Sequence, residues 1–203
     1  MALTKDQLLK PLAELRGRSV VVTCMSVTRP WGRYSSSDLD FASADSAMGH
    51  TADLALGIAL ARPERKVICL NGDGSMLMTL GTLATVIGAG AANLVLFVVQ
   101  NDTYEITGNQ EIPAAGRIDF ALLARGAGFR RVYDFKDPDL YKTTLPEVLS
   151  GEGPVFVAVR VEKGEEGPIS RSAKEQSPYL RVSLAQSAHD LRKALTPPRF
   201  PTL

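Results

Sequence analysis

Several absences narrow what this sequence can be. It has no surplus of positive charge: 23 Lys and Arg stand against 22 Asp and Glu, a net charge of +1. Neutralising a phosphate backbone takes a basic patch or stripe, so nucleic acid is excluded as the main partner. Long apolar runs are missing as well. The longest wholly apolar stretch, Leu94 to Val99, falls far short of the roughly 20 residues that cross a bilayer, so no membrane partner is expected. The start, Met1 to Lys10, lacks the apolar core of a signal peptide. Cysteine is scarce: Cys24 and Cys69 both sit in apolar surroundings (VVVTC and KVICL), with no C-x-x-C. They read as reduced, buried thiols, too few for a disulfide framework, an iron–sulfur cluster or a structural zinc site. The expectation is a soluble, cytoplasmic protein.

What remains is an ordinary globular composition, 45% hydrophobic and 22% charged, in 203 residues. That length suits one domain, or one domain plus a tail, and excludes the multidomain plan of many cofactor enzymes. Apolar periodicity and capping residues predict a helix over Leu3–Leu15 with Thr4 as N-cap, a strand over Ser19–Cys24, and a helix over Gly49–Ala61. A strand over Lys66–Leu70, a tight turn Asn71–Gly74, a helix over Ser75–Ile87 and a strand over Asn93–Gln100 follow. Asn101–Gly116 reads as loop. Beyond it come a helix over Ile118–Ala127, a strand over Arg131–Phe135, a helix over Asp139–Leu149 and a strand over Pro154–Val161. Met25–Ala47 is too irregular for one element, and a long loop inside a compact domain is more often functional than idle. Strands that are solidly apolar and alternate with helices predict an α/β fold, a doubly wound, mainly parallel sheet with helices on both faces. The composition shifts to Gly, Glu, Ser and Pro from Gly164. We therefore expect a domain over 1–163 and a C-terminal arm over 164–203 with a short helix near Leu184–Leu195.

Two strand ends carry chemistry. KVICL-NGDGS runs a buried strand through glycines and one acid, Asp73, straight into a helix. Glycines let the backbone approach a ligand, and a helix start favours phosphate, but Asp73 would repel a bare phosphate. A hard cation such as Mg²⁺ between them reconciles the two, and Asn101 at the end of LVLFVVQN could join Asp73 in holding it. Gly88-Ala89-Gly90 is no dinucleotide fingerprint, because it follows a helix and precedes a strand.

GDGS followed by a helix and an apolar strand ending at Asn101 resembles the motif of thiamine-diphosphate-dependent enzymes, in their diphosphate-binding (C-terminal type) domain. The upstream stretch SAMGHTADLALGIALARPERKVICL, with YEITGNQ after Asn101, is most similar to the sulfopyruvate and phosphonopyruvate decarboxylases, specifically their β subunit or domain. The resemblance covers about Ser19–Val161. It implies that Asp73, the Asn101 side chain and the Thr103 carbonyl hold Mg²⁺, and that Gly72, Gly74 and Ser75 line the diphosphate. Met48 falls at the apolar wedge beneath the cofactor, and the Ser46 carbonyl faces its pyrimidine amino group. Gly49, Met76 and Tyr104 join the cofactor-binding candidates, and His50 and Glu105 are the catalytic candidates. Gln100 stands where the family has the first of two asparagines, and Asn109 where it has a glycine. Met25–Arg33 matches only loosely, with Ser26 and Thr28 as candidates for binding phosphate.

In that family a glutamate from a separate pyrimidine-binding domain activates the cofactor, and this chain has no room for a second α/β unit. The resemblance therefore implies a small, β-type subunit of a hetero-oligomeric 2-oxo acid decarboxylase. An α-type partner would supply the glutamate. The implied substrates are 2-oxo acids with a second anionic group, for which Arg29, Arg33 and Arg117 are available cations. Alternatives are a carboligase subunit resembling acetolactate synthase, or a non-catalytic module that binds thiamine diphosphate.

Overall fold

A computed structural model describes residues 2–42 and 48–196. Its centre is a sheet of six strands in the order β2-β1-β3-β4-β8-β7, every neighbouring pair parallel. The strands are β1 (Val20–Thr23), β2 (Asp40–Ala42), β3 (Val67–Gly72), β4 (Leu94–Gln100), β7 (Arg131–Phe135) and β8 (Val155–Arg160). Successive side chains of a strand point to opposite faces, and here both faces are covered. Val20, Val22, Cys69, Leu94, Leu96 and Val98 meet α3 (Thr51–Ala61), α5 (Thr82–Ala89), α6 (Phe120–Ala127) and α8 (Leu184–Leu195). Val21, Ile68, Leu70, Val95, Phe97 and Val99 meet α1 (Lys5–Leu15), α2 (Thr28–Trp31) and α7 (Pro138–Ser150). Two-sided burial is why β1, β3, β4 and β8 are built on apolar runs. No helix among the described residues is long and apolar enough to cross a membrane.

Local signals explain most boundaries. Thr4 and Gln7 form a reciprocal capping box before α1, and Asp119, Asp137 and Ser183 cap α6, α7 and α8 through their side chains. Two expectations are corrected, and two segments read as irregular prove to hold short elements. Asn71–Gly74 is not a tight turn: β3 continues to Gly72 and α4 (Asp73–Met78) begins at the next residue. The single helix expected over Ser75–Ile87 is two, because the chain breaks at Thr79–Gly81 between α4 and α5. The irregular segment after Met25 contains a 3₁₀ turn (Met25–Val27), α2 and the edge strand β2. The loop after Asn101 holds a two-stranded hairpin, β5 (Thr103–Tyr104) with β6 (Gln110–Glu111).

The C-terminal segment returns to the β2 edge of its own chain. Arg29 pairs with Glu175 at 3.0 Å and Glu166 at 3.2 Å, and the Arg171 guanidinium donates to the Ala42 carbonyl at 2.9 Å. Leu191 of α8 is buried in the same cluster as Leu39 and Phe41.

Candidate cofactor site

The chain leaves β1 for β2 on one side and arrives at β3 on the other, so the strand order reverses at β1. Open parallel sheets bind ligands outside the carboxyl ends of the strands at such a reversal. A cavity of about 230 Å³ lies there. Cys24, Met25 and Ser26 line it from the end of β1, Gly72–Ser75 from β3 and α4, and Asn101 with Thr103–Thr107 from beyond β4; Met48 and Met78 complete its wall.

Asp73 is 2% exposed. Its Oδ1 accepts the Gly74 N–H at 2.8 Å and its Oδ2 the Asp102 N–H at 2.7 Å. Burial pushes its carboxyl up to about 6, against the pull of those N–H donors. Among the described residues no Lys, Arg or His side chain forms an ion pair with it. Asp102 presents its N–H from a left-handed conformation, φ +61°. Burial would raise the Asp102 carboxyl, but hydrogen bonds from Gln100 (2.9 Å) and the Gly116 backbone, with the Arg160 guanidinium at 2.7 Å, hold it below the ordinary value.

Asn101 is oriented at both ends of its amide. Its Nδ2 donates to Glu105 Oε2 at 2.7 Å and its Oδ1 accepts the Thr103 N–H at 3.1 Å. The Thr103 hydroxyl donates to Asn109 Oδ1 at 2.8 Å. Glu105, 5% exposed, also accepts from Lys5 Nζ at 2.5 Å. Gly74 is demanded by packing: a Cβ there would lie 2.5 Å from the Tyr104 ring and 3.1 Å from Ile112. At Gly72 a Cβ would meet no protein atom within 4 Å. The packing therefore leaves the Gly72 backbone open to a ligand. Gly49, at φ +89°, is stapled to the α4 region, its N–H donating to Ser75 Oγ at 3.0 Å and its carbonyl accepting from Thr79. That staple fixes the neighbouring Met48 at the cavity.

A description of the thiamine pyrophosphate enzymes' C-terminal TPP binding domain matches residues 22–159. The chain belongs to this family. Phosphonopyruvate decarboxylase of Streptomyces viridochromogenes is 32% identical over 188 residues, 92% of this chain and 45% of that protein. Sulfopyruvate decarboxylase subunit beta of Methanococcus maripaludis is 34% identical over 167 residues, 82% of this chain and 88% of that subunit. A thiamine diphosphate-dependent 4-hydroxybenzoylformate decarboxylase of Rhodococcus jostii RHA1 shares the fold, with a TM-score of 0.68 and 23% identity over 81% of this chain and 34% of its own. The chain thus spans less than half the length of the Streptomyces decarboxylase.

For a TPP-binding domain, the fold gathers most of the residues singled out in the sequence. Met48, Gly72, Asp73, Gly74, Ser75, Asn101, Thr103, Tyr104 and Glu105 line one cavity, with Gly49 directly behind. Other candidates are placed elsewhere, and one lies outside the described residues. The Met76 side chain is fully buried in the core, accepting a weak hydrogen bond from Asn71. His50 does not line the cavity; its side chain is 67% exposed and its Nδ1 lies 2.8 Å from Asp53. Ser46 lies outside the described residues. Arg29 and Arg33 are taken up by Glu166 and Glu175, and Arg117 lines a separate cleft beside Arg160. Ser26 reaches the cavity, whereas Thr28 is buried in α2 and does not. Sequence reasoning missed Cys24, Met25 and Met78. Burial pushes the Cys24 thiol up, with Thr51, Ser75 and the Gly72 backbone as hydrogen-bond partners. Its position at the end of β1, the strand next to the one that carries the motif, is visible only once β1 and β3 are paired.

Proposed function

We propose that the chain is the diphosphate-binding, β-type subunit of a Mg²⁺- and thiamine-diphosphate-dependent decarboxylase of 2-oxo acids. One observation carries this reading: a buried carboxylate, Asp73, without a cationic partner among the described residues, in the wall of a strand-end cavity opposite Asn101. The donors present are the hard oxygens that Mg²⁺ takes, and the ion would offset the buried charge. Asp73, the Asn101 Oδ1 and the Thr103 carbonyl would hold it, with Gly72, Gly74 and Ser75 along the diphosphate and Met48 beneath the rings. When bound, thiamine diphosphate supplies the electron sink that loss of CO₂ from a 2-oxo acid requires.

The residues of this chain bind and orient, and no glutamate among the described residues of the cavity is free to activate the cofactor. Both oxygens of Glu105 are engaged by Lys5 and Asn101, so the activating glutamate comes from an α-type, pyrimidine-binding partner in a hetero-oligomer. His50, exposed beside Met48, takes a proton-transfer or substrate-binding role only in the assembled site. The names of the two relatives favour a sulfonate- or phosphonate-bearing pyruvate as substrate. The test is CO₂ release from sulfopyruvate and phosphonopyruvate by the chain alone and with the subunit that co-purifies with it. Activity should require both chains. Full activity from the isolated chain contradicts the subunit reading, and a coupled hydroxyketone in place of free aldehyde points to carboligation.

A further inference from the structure

Glu105 has a position that its place in the sequence does not explain. It follows the metal-loop residues, yet its side chain is turned inward and only 1% exposed. Three groups from three parts of the chain converge on its carboxylate. Lys5 Nζ, from the first residue of α1, lies 2.5 Å from Oε1; the Glu166 backbone N–H, from the C-terminal segment, donates to the same oxygen at 3.0 Å; and Asn101 Nδ2 donates to Oε2 at 2.7 Å. Gly164 passes so close over this cluster that a Cβ there would lie 2.5 Å from Glu105 Oε1 and 2.7 Å from Lys5 Nζ. The C-terminal segment therefore roofs the ion pair, and Asn109 Nδ2, donating to the Gly164 carbonyl at 2.9 Å, ties down its near end.

The chemistry of the amide gives this cluster a purpose. A carboxamide has a donor end and an acceptor end of nearly the same size, and only its partners decide which way it points. An ionised carboxylate can only accept, so Glu105 fixes the Asn101 NH₂ on its own side and leaves Oδ1 on the other. Lys5 compensates the charge of Glu105, so a second uncompensated carboxylate is not placed beside the cavity where a diphosphate would sit. We propose that Glu105 is a positioning residue: held by Lys5 and the Glu166 N–H, it orients the Asn101 amide so that oxygen, not nitrogen, is presented to the divalent cation. This deepens the reading of the site as a metal–diphosphate site and rests on it.

The test is titration of Mn²⁺ into the full-length chain at saturating thiamine diphosphate, read by electron paramagnetic resonance of free Mn²⁺. Lys5→Met/Glu105→Leu removes both members of the pair and leaves no buried charge unpaired, so the fold is kept, as circular dichroism melting would verify. With only the Thr103 N–H left to hold the amide, the variant's apparent Mn²⁺ affinity should fall about tenfold or more. Adding Asn101→Asp to that double variant should restore most of the loss, because a carboxylate has no wrong end to present; a purely structural role for Glu105 would not be rescued in this way. An affinity equal to that of the unaltered chain overturns the proposal, and so does a loss that Asn101→Asp leaves uncorrected. If the unaltered chain itself takes up no Mn²⁺ with the cofactor, the reading of the site fails, and the proposal with it.

Discussion

At the scale of single residues the site depends on close approach and on atoms with few alternatives. Gly74 lets α4 lie against the Tyr104 ring. Gly74→Ala would drive a methyl group to 2.5 Å from that ring, and overpacking of this kind costs roughly 1–3 kcal/mol. A urea unfolding midpoint lowered accordingly, with weakened cofactor binding because the β5–β6 hairpin is pushed off the cavity, is the expected result. Unchanged stability would mean the ring turns aside freely. Asp73 and Asn101 were legible from sequence because each ends an apolar run, and a strand end in a parallel sheet is where ligands go. Glu105 was legible only as an acid near the site, since its partners Lys5 and Glu166 are brought to it by tertiary structure. His50 and Met76 stand next to motif residues in the chain, but the turn into α3 and the inner face of α4 carry their side chains elsewhere.

At the scale of elements, the strands buried on both faces were readable, and so were α1, α6, α7 and α8, where apolar periodicity and capping residues agree. The misread pieces are those whose local pattern is ambiguous. Gly72 and Gly74 look like a turn, yet β3 runs through Gly72 and α4 takes in Gly74, where the Tyr104 ring leaves no room for a Cβ. The break between α4 and α5 hides inside a continuous apolar periodicity. β2 is three residues long and gains its place by pairing with β1 and being covered by α8. Leu191 is the buried anchor of that cover, so Leu191→Ala should destabilise the chain by roughly 2–5 kcal/mol, read as a shift in thermal or urea unfolding.

The C-terminal segment is held electrostatically as well. The Arg29 guanidinium, helped by Ser170, holds the Glu175 carboxyl well below the usual carboxylate range, at about 2, despite the upward push of burial. A depressed acid contributes stability that is complete above its unfolded value, 4.5, and lost as pH falls through the folded one. Hydrogen exchange in residues 164–182 should therefore accelerate, after correction for intrinsic rates, between about pH 4.5 and 2. Arg29→Ala should produce the same opening at neutral pH, and protection unchanged in that variant would show that the apolar contacts alone hold the segment.

At the scale of the whole molecule, the described residues make one α/β unit, and under the proposed function its strand-end cavity would be half of a cofactor site. There the sheet would supply an acid, an amide and bare glycine backbone for a metal and a diphosphate, with Met48 as an apolar support. Among the described residues it brings no unpaired carboxylate to the cavity beyond Asp73. The cavity is accordingly rimmed by Met25, Met48 and Met78, the last with 53% of its surface exposed. Such a rim suits closure by another polypeptide, as the proposal of catalysis by an assembly requires. The most direct test is calorimetric titration of millimolar thiamine diphosphate into the full chain with Mg²⁺, with chelator in place of Mg²⁺, and with the Asp73→Ala variant in Mg²⁺. A metal–diphosphate half-site requires saturable binding in the first case and its loss in the other two; equal binding in all three, or none in the first, would contradict it.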